Sequence, residues 1–117
     1  MNKLTGLCQR LTIYIGESDT ADHTPLATEI VQRAHASGMA GVTVLRGVVG
    51  FGASNHIHTT RILSLSADLP IVIVIVDERE QIQRFVVEIE QIIVKGLVTI
   101  EDVQVIDYIG SRSPASS

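Results

Sequence analysis

Cysteine is almost missing from this chain of 117 residues, where Cys8 stands alone. A single cysteine excludes an internal disulfide and, with no second one nearby, a thiolate zinc cage. With only Leu7, Gln9 and Arg10 beside it, Cys8 reads as a passive half-buried thiol rather than a nucleophile. Tryptophan is absent, and Tyr14, Phe51, Phe85 and Tyr108 are the whole aromatic content. That is too sparse for base-stacking platforms, and it leaves the core to Ile, Val and Leu. Positive charge is not in excess either: the net charge is −4, with acids and bases interspersed, which removes the basic footprint of a nucleic-acid binder and the polybasic patch of a membrane-surface protein. No apolar run reaches the roughly 20 residues that cross a bilayer, and the N-terminus carries no hydrophobic signal region. A soluble cytoplasmic protein without direct membrane insertion is expected.

What is there is a chain 45% hydrophobic, enough for one domain with one core. It is organised around Gly41 to Val76. Two β-branched runs in this stretch, Val42 to Val49 and Ile71 to Val76, are separated by more residues than a tight hairpin holds. Long connections without secondary structure are functional or disordered, so the segment between the runs reads as a mobile arm raised on a sheet.

Around this stretch the elements follow in order. Leu11, Ile13 and Ile15 alternate with Arg10, Thr12 and Tyr14, the period of a half-buried strand. The strand ends in the polar turn Gly16-Glu-Ser-Asp19. Thr24 followed by Pro25 predicts an N-cap and a first helical residue. Leu26, Ile30, Val31 and Ala34 form the apolar stripe of a helix to Ser37, with Gly38 as its left-handed stop. Gly47, inside the second strand, marks a bulge or a close backbone approach. The third strand, Ile71 to Val76, has no polar face and needs cover on both sides. Asp77 and Glu80 have the spacing of a capping box, and Ile82, Phe85, Val86, Ile89, Ile92 and Ile93 carry the second helix up to Gly96. Thr99 to Asp102 reads as a short connection into a last strand with Val103, Val105 and Tyr108.

The predicted order β-α-β-β-α-β is an α+β, ferredoxin-like arrangement, a four-stranded antiparallel sheet with two helices on one face. Residues 1–8 are expected as a lead-in, 9–109 as the domain with its long loop at 50–69, and 110–117 as a disordered tail. An apolar strand left wet on its uncovered face predicts that copies of the chain pack together there.

Several spaced stretches, Leu45-Arg-Gly-Val-Val-Gly-Phe-Gly52, His56-Ile-His58, Leu65-Ser-Ala-Asp-Leu-Pro70, Val76-Asp77 and Gly96-Leu-Val-Thr99, resemble the PII-like family known as domain of unknown function 190. More distantly the chain resembles the PII nitrogen-regulatory proteins. The resemblance implies a homotrimer with three clefts between subunits, each taking an adenine nucleotide between the loop base of one copy and the turn after the second helix of its neighbour. On this chain those places are Gly50, Phe51 and Gly52, and Lys95, Gly96 and Leu97. It also implies a partner contacted through the loop, a membrane channel or transporter, with a fluoride channel suggested by the family's frequent association with one. Two features depart from the PII pattern. The arm from Ala53 to Arg61 holds no tyrosine for modification, and the glycine-rich basic phosphate turn is reduced to Lys95-Gly96.

The residues that carry chemistry each have a plainer reading. Gly50 and Gly52 let backbone N–H groups approach a ribose or phosphate, or simply let the chain leave a strand. Arg46 and Lys95 suit an anionic ligand, Arg46 as a fork and Lys95 as a point charge; an ion pair with Glu or Asp is the alternative for Arg46, and the helix dipole for Lys95. His56 and His58 share a face of an extended segment and are the candidates for a metal, against two solvated histidines. Glu17 and Asp19 read as turn and cap residues more than as an acid and base pair, and His23 and His35 as exposed helix residues. The chain is thus expected to be a regulator rather than an enzyme, requiring no cofactor and responding to a small effector. A histidine-based metal-binding protein and a ligand-free trimeric scaffold are the alternatives.

Overall fold

The computed structural model describes residues 4–50 and 68–110. Strand β1 runs Gly6–Gly16, a small ribbon is made by β2 (Thr20–Ala21) and β3 (Thr24–Pro25), and helix α1 spans Leu26–Ala36. Strand β4 is Thr43–Arg46, β5 is Pro70–Asp77, helix α2 is Arg79–Glu90, and β6 is Leu97–Val105. The main sheet has the order β4-β5-β1-β6 with every pairing antiparallel. This is the ferredoxin-like α+β fold, and the β-α-β-β-α-β order expected from the sequence holds once the ribbon is set aside.

Alternation along the strands builds the core, as the sequence pattern implies. Leu11, Ile13 and Ile15 of β1 pair with Ile75, Ile73 and Ile71 of β5, so all six project to one side. There they meet Leu26, Ile30 and Ala34 of α1 and Ile82, Phe85 and Ile89 of α2 in a single core. Two helices lie on one face because each has a single apolar stripe to bury, and the aliphatic β1 and β5 present one continuous surface for both.

The opposite face of the sheet carries an apolar row without cover from either helix. Leu45, Val72, Tyr14 and Leu97 stand in one row across all four strands, with Leu45 and Leu97 each 55% exposed and Tyr14 43%. Thr43, Val74, Thr12 and Thr99 form the next row. Beyond it Arg10 Nε donates to Glu101 at 2.9 Å.

Several boundaries differ from the sequence reading, each for a tertiary reason. Leu4 is buried and β1 begins at Gly6, inside the span read as a lead-in, because residues 6–10 are held by pairing with β6. Thr24 does not cap α1: it pairs with Ala21 in the ribbon, Pro25 stands at the N-cap position, and the Leu26 N–H is taken by the Asp19 carbonyl at 2.8 Å. His23 is not helical. With Asp22 it forms the two-residue loop of that ribbon, both at positive φ as a type I′ hairpin requires. Gly38 does end α1 in the left-handed region. Strand β4 is shorter than the Val42 to Val49 run and stops at Arg46.

At the other helix, no capping box forms between Asp77 and Glu80. The buried Asp77 accepts instead from Glu78 N–H at 2.7 Å and from Ala40 N–H at 2.8 Å. Helix α2 stops at Glu90, short of Gly96, and residues Thr99 to Asp102 are the middle of β6 rather than a connection. This edge strand shows no regular burial alternation, and backbone pairing with β1 defines it.

Candidate functional site

The turn Gly16-Glu17-Ser18-Asp19 closes β1 at the end of the sheet where β4 ends and where β5 and β6 begin. Its conformation is local. Asp19 Oδ2 accepts from the Gly16 N–H at 2.8 Å, and the Asp19 N–H donates to the Gly16 carbonyl at 3.2 Å. The Asp19 side chain thus reaches back three residues to satisfy the Gly16 N–H while its backbone closes the turn, so the two ends of the turn are tied twice.

From this turn run contacts to both sides of the segment 51–67. On the entry side, Arg46 lies against Glu17 as a fork, with Nε to Oε2 at 2.9 Å and Nη2 to Oε1 at 3.3 Å. On the return side, the Glu17 N–H donates to the Leu69 carbonyl and the Ser18 N–H to Asp68 Oδ1, each at 2.8 Å. The two sides also touch each other: the Gly47 N–H donates to the Pro70 carbonyl at 2.8 Å, and a Cβ on Gly47 would sit 2.6 Å from Pro70 Cγ. The close approach expected at Gly47 is therefore with the proline that starts β5. Gly50 lies beside the same ring.

A further contact reaches the turn after α2. Lys95 Nζ is 3.6 Å from Asp19 Oδ1, whose side chain is only 11% exposed. Lys95 stands beyond the end of α2 rather than in its last turn, because the chain tightens at Ile92 and Ile93, whose N–H groups both return to the Ile89 carbonyl. The helix dipole is thus not its role; its partner is a carboxylate of another element. Gly96 follows at φ +147°, against the Tyr14 carbonyl.

Of the residues singled out in the sequence, Arg46, Gly50, Lys95 and Gly96 come to one end of the sheet, with Glu17 and Asp19 between them. Phe51, Gly52, His56 and His58 lie outside the described residues. Glu17 and Asp19 have turn and ion-pair duty, and Arg46 meets a glutamate as its plainer reading holds. Asp68 was missed, since its contact with Ser18 spans fifty residues and no local pattern announces it. The two ion pairs that meet here, Arg46 with Glu17 and Lys95 with Asp19, are joined by a third carboxylate on Asp68, so negative charge exceeds positive at this end among the described residues.

At the opposite end of the sheet an open cleft of about 520 Å3 is lined by residues that include Leu4, Met39, Asp77, Arg84 and Tyr108. The Tyr108 hydroxyl donates to the Ala40 carbonyl at 3.1 Å there. Cys8 is buried. Burial raises its pKa above the ordinary thiol value, and the negative charges of Glu78 and Asp77 raise it further, so the thiol is neutral and unreactive at neutral pH. Among the described residues no group of three or more His, Cys, Asp or Glu is placed to hold a metal, and no helix is long and apolar enough to cross a membrane.

The sequence profile of the family described as DUF190, "Uncharacterized ACR, COG1993", matches residues 8–105. The chain belongs to this family. It is 36% identical over 96 residues to a UPF0166 protein of Aquifex aeolicus (strain VF5), covering 82% of this chain and 90% of the relative. It is 31% identical over 96 residues to the UPF0166 protein MJ1524 of Methanocaldococcus jannaschii, covering 81% and 88%. Among solved structures the fold is similar to CPII of Thiomonas intermedia K12 bound to ADP, AMP and acetate, with a TM-score of 0.63 at 15% identity over 87% of this chain and 91% of that one. The apo form of CPII, described as a nitrogen regulatory PII-like protein, is similar with a TM-score of 0.55 at 18% identity, covering 89% and 97%. The resemblance to domain of unknown function 190 is thereby met in family, and the PII-like resemblance in fold.

Proposed function

We propose that this DUF190 protein is a PII-like regulator that binds an adenine nucleotide in clefts between copies of itself and acts by binding rather than by catalysis. The observation that carries this reading is the convergence at one end of the sheet. Arg46 at the base of the long segment and Lys95 after α2 are each paired to a single turn, Gly16 to Asp19, while Gly47 and Gly50 lie against Pro70 and Gly96 against the Tyr14 carbonyl at the same end. CPII, which shares the fold, was seen with ADP and AMP, and this supports an adenine ligand for this chain. Arg46 and Lys95 supply charge for a phosphate, Gly50, Phe51, Gly52 and Gly96 supply backbone N–H groups with little side-chain obstruction at the glycines, and a neighbouring copy completes the cleft.

The row Leu45, Val72, Tyr14 and Leu97 is the surface through which the copies assemble as a homotrimer in the cytoplasm, since an apolar row across four strands is stabilised by removal from water at about 25 cal/mol per Å2. Ligand binding biases the loop that spans residues 53–61, and the loop's fit to a partner, a membrane channel or transporter, changes with it. Such a switch needs only a few kcal/mol of differential affinity. Isothermal titration of AMP, ADP, ATP and cyclic nucleotides into the purified protein tests the reading. Saturable binding of at least one, weakened by Lys95→Ala, is expected; silence with all of them sinks it and leaves a scaffold.

A further inference from the structure

The two cations that suit a phosphate are already occupied. Glu17 takes the guanidinium of Arg46 with both of its oxygens, and Asp19 stands 3.6 Å from the ammonium of Lys95. Both residues have a fixed backbone, with the Asp19 side chain 11% and the Glu17 side chain 41% exposed. Glu17 is anchored through its own N–H to Leu69, and Asp19 through a side-chain oxygen to the Gly16 N–H and through its carbonyl to Leu26. Asp68, held by Ser18, adds a third negative charge beside them.

We infer that Glu17 and Asp19 are resident anions that set the charge selectivity of the site. A ligand phosphate has to displace them from Arg46 and Lys95, or share those cations against their repulsion. Each further negative charge on the ligand therefore meets more opposition, and the site favours ligands with few phosphates over those with many. The inference rests on the nucleotide reading for its ligand class, but its physical content belongs to this chain's own ion pairs. It applies whether Arg46 and Lys95 serve the same cleft or two different ones, because each brings its own carboxylate with it.

The test uses Glu17→Gln, Asp19→Asn and the double variant. Asp19→Asn retains a side-chain oxygen to accept the Gly16 N–H, so the turn is preserved while the charge is lost. Glu17→Gln keeps the length of a side chain that is 41% exposed, and removes its charge together with one of the two oxygens that accept from Arg46. Calorimetry in metal-free buffer at fixed ionic strength reads adenosine, AMP, ATP and inorganic pyrophosphate against each protein. Exposed or part-buried ion pairs of this kind correspond to about a two- to fivefold change in affinity. The expected result is a gain of that size for AMP in the double variant, a larger gain for ATP and pyrophosphate, and none for adenosine. Binding of pyrophosphate or ATP by the double variant alone, with none by the wild type, also supports the inference while removing the nucleotide reading of the native protein. Equal or weaker binding of the phosphate probes by the variants overturns it, as does a gain for adenosine as large as that for ATP. If no protein binds any probe, the freed cations do not form an anion site and the inference falls.

Discussion

A side-chain carbon on Gly96 would lie 2.6 Å from the carbonyl oxygen of Tyr14, with Gly96 itself held at φ +147°. The start of β6 is thus pressed against β1 at the point where Lys95 turns toward Asp19. Gly96→Ala meets both a backbone clash and a disfavoured dihedral. A loss of about 1–3 kcal/mol is expected, read as a lower urea midpoint with unchanged slope. Stability within about 0.5 kcal/mol of wild type, on the order of an ordinary surface substitution, contradicts this role of the glycine.

Asp77 is the acceptor that joins the segment after α1 to the start of α2. Asp77→Ala leaves the N–H groups of Ala40 and Glu78 without their partner, at a cost of about 1–3 kcal/mol. Asp77→Asn retains one acceptor oxygen and should lose less. Hydrogen exchange at the Ala40 amide distinguishes the two variants: fast in Asp77→Ala, intermediate in Asp77→Asn. Wild-type protection at Ala40 in both variants is the contrary outcome.

The apolar row across the sheet gives a prediction about assembly. Light scattering at micromolar concentration should find three copies of the 12.7 kDa chain. Leu97→Glu, which places a charge in the row without touching the helix-side core, should shift the mass to a single chain. A wild-type mass of one chain removes the clefts, and the regulatory account with them.

Cys8 offers a pH signature. Its folded pKa lies above the ordinary value of 9.0, first because of burial and then because of Glu78 and Asp77. The unfolded chain therefore loses the thiol proton at lower pH than the folded one. The contribution is fully present below the unfolded pKa and is lost as pH rises through the folded pKa. As pH rises from about 8 past the unfolded value, wild type should lose stability more steeply than Cys8→Ala, by at most about 1.4 kcal/mol per pH unit. Parallel stability curves for the two proteins would falsify the assignment. Alkylation of the native thiol at neutral pH should be slow until denaturant is added.

Much of the fold was legible because it follows from short-range periods. Leu11, Ile13 and Ile15 alternate and are buried together; Ile82, Phe85 and Ile89 recur at helical spacing and are buried together. Errors gathered where another element overrode a local cue. Thr24 has the look of a cap, but pairing with Ala21 claims it. Asp77 has the spacing of a capping box, but Ala40 competes for its oxygen. Thr99 to Asp102 lack alternation because an edge strand can be held by its backbone alone.

The candidate site was legible in part. Arg46 and Lys95 could be named from charge and position, and Glu17 and Asp19 were noticed as neighbours in a turn. That Arg46 would lie against Glu17, twenty-nine residues earlier, and Lys95 against Asp19 was not written in any local pattern. Asp68 carried no signal at all.

By itself the sequence determined which side chains face the core, the order of the elements and the family, since periodicity and spaced motifs are properties of neighbouring residues. The tertiary structure alone decided which turn meets which strand end, and so gathered Glu17, Asp19, Arg46, Asp68 and Lys95 into one place. Ion pairs between loops depend on where the packed sheet carries its ends, and no repeat along the chain encodes that distance.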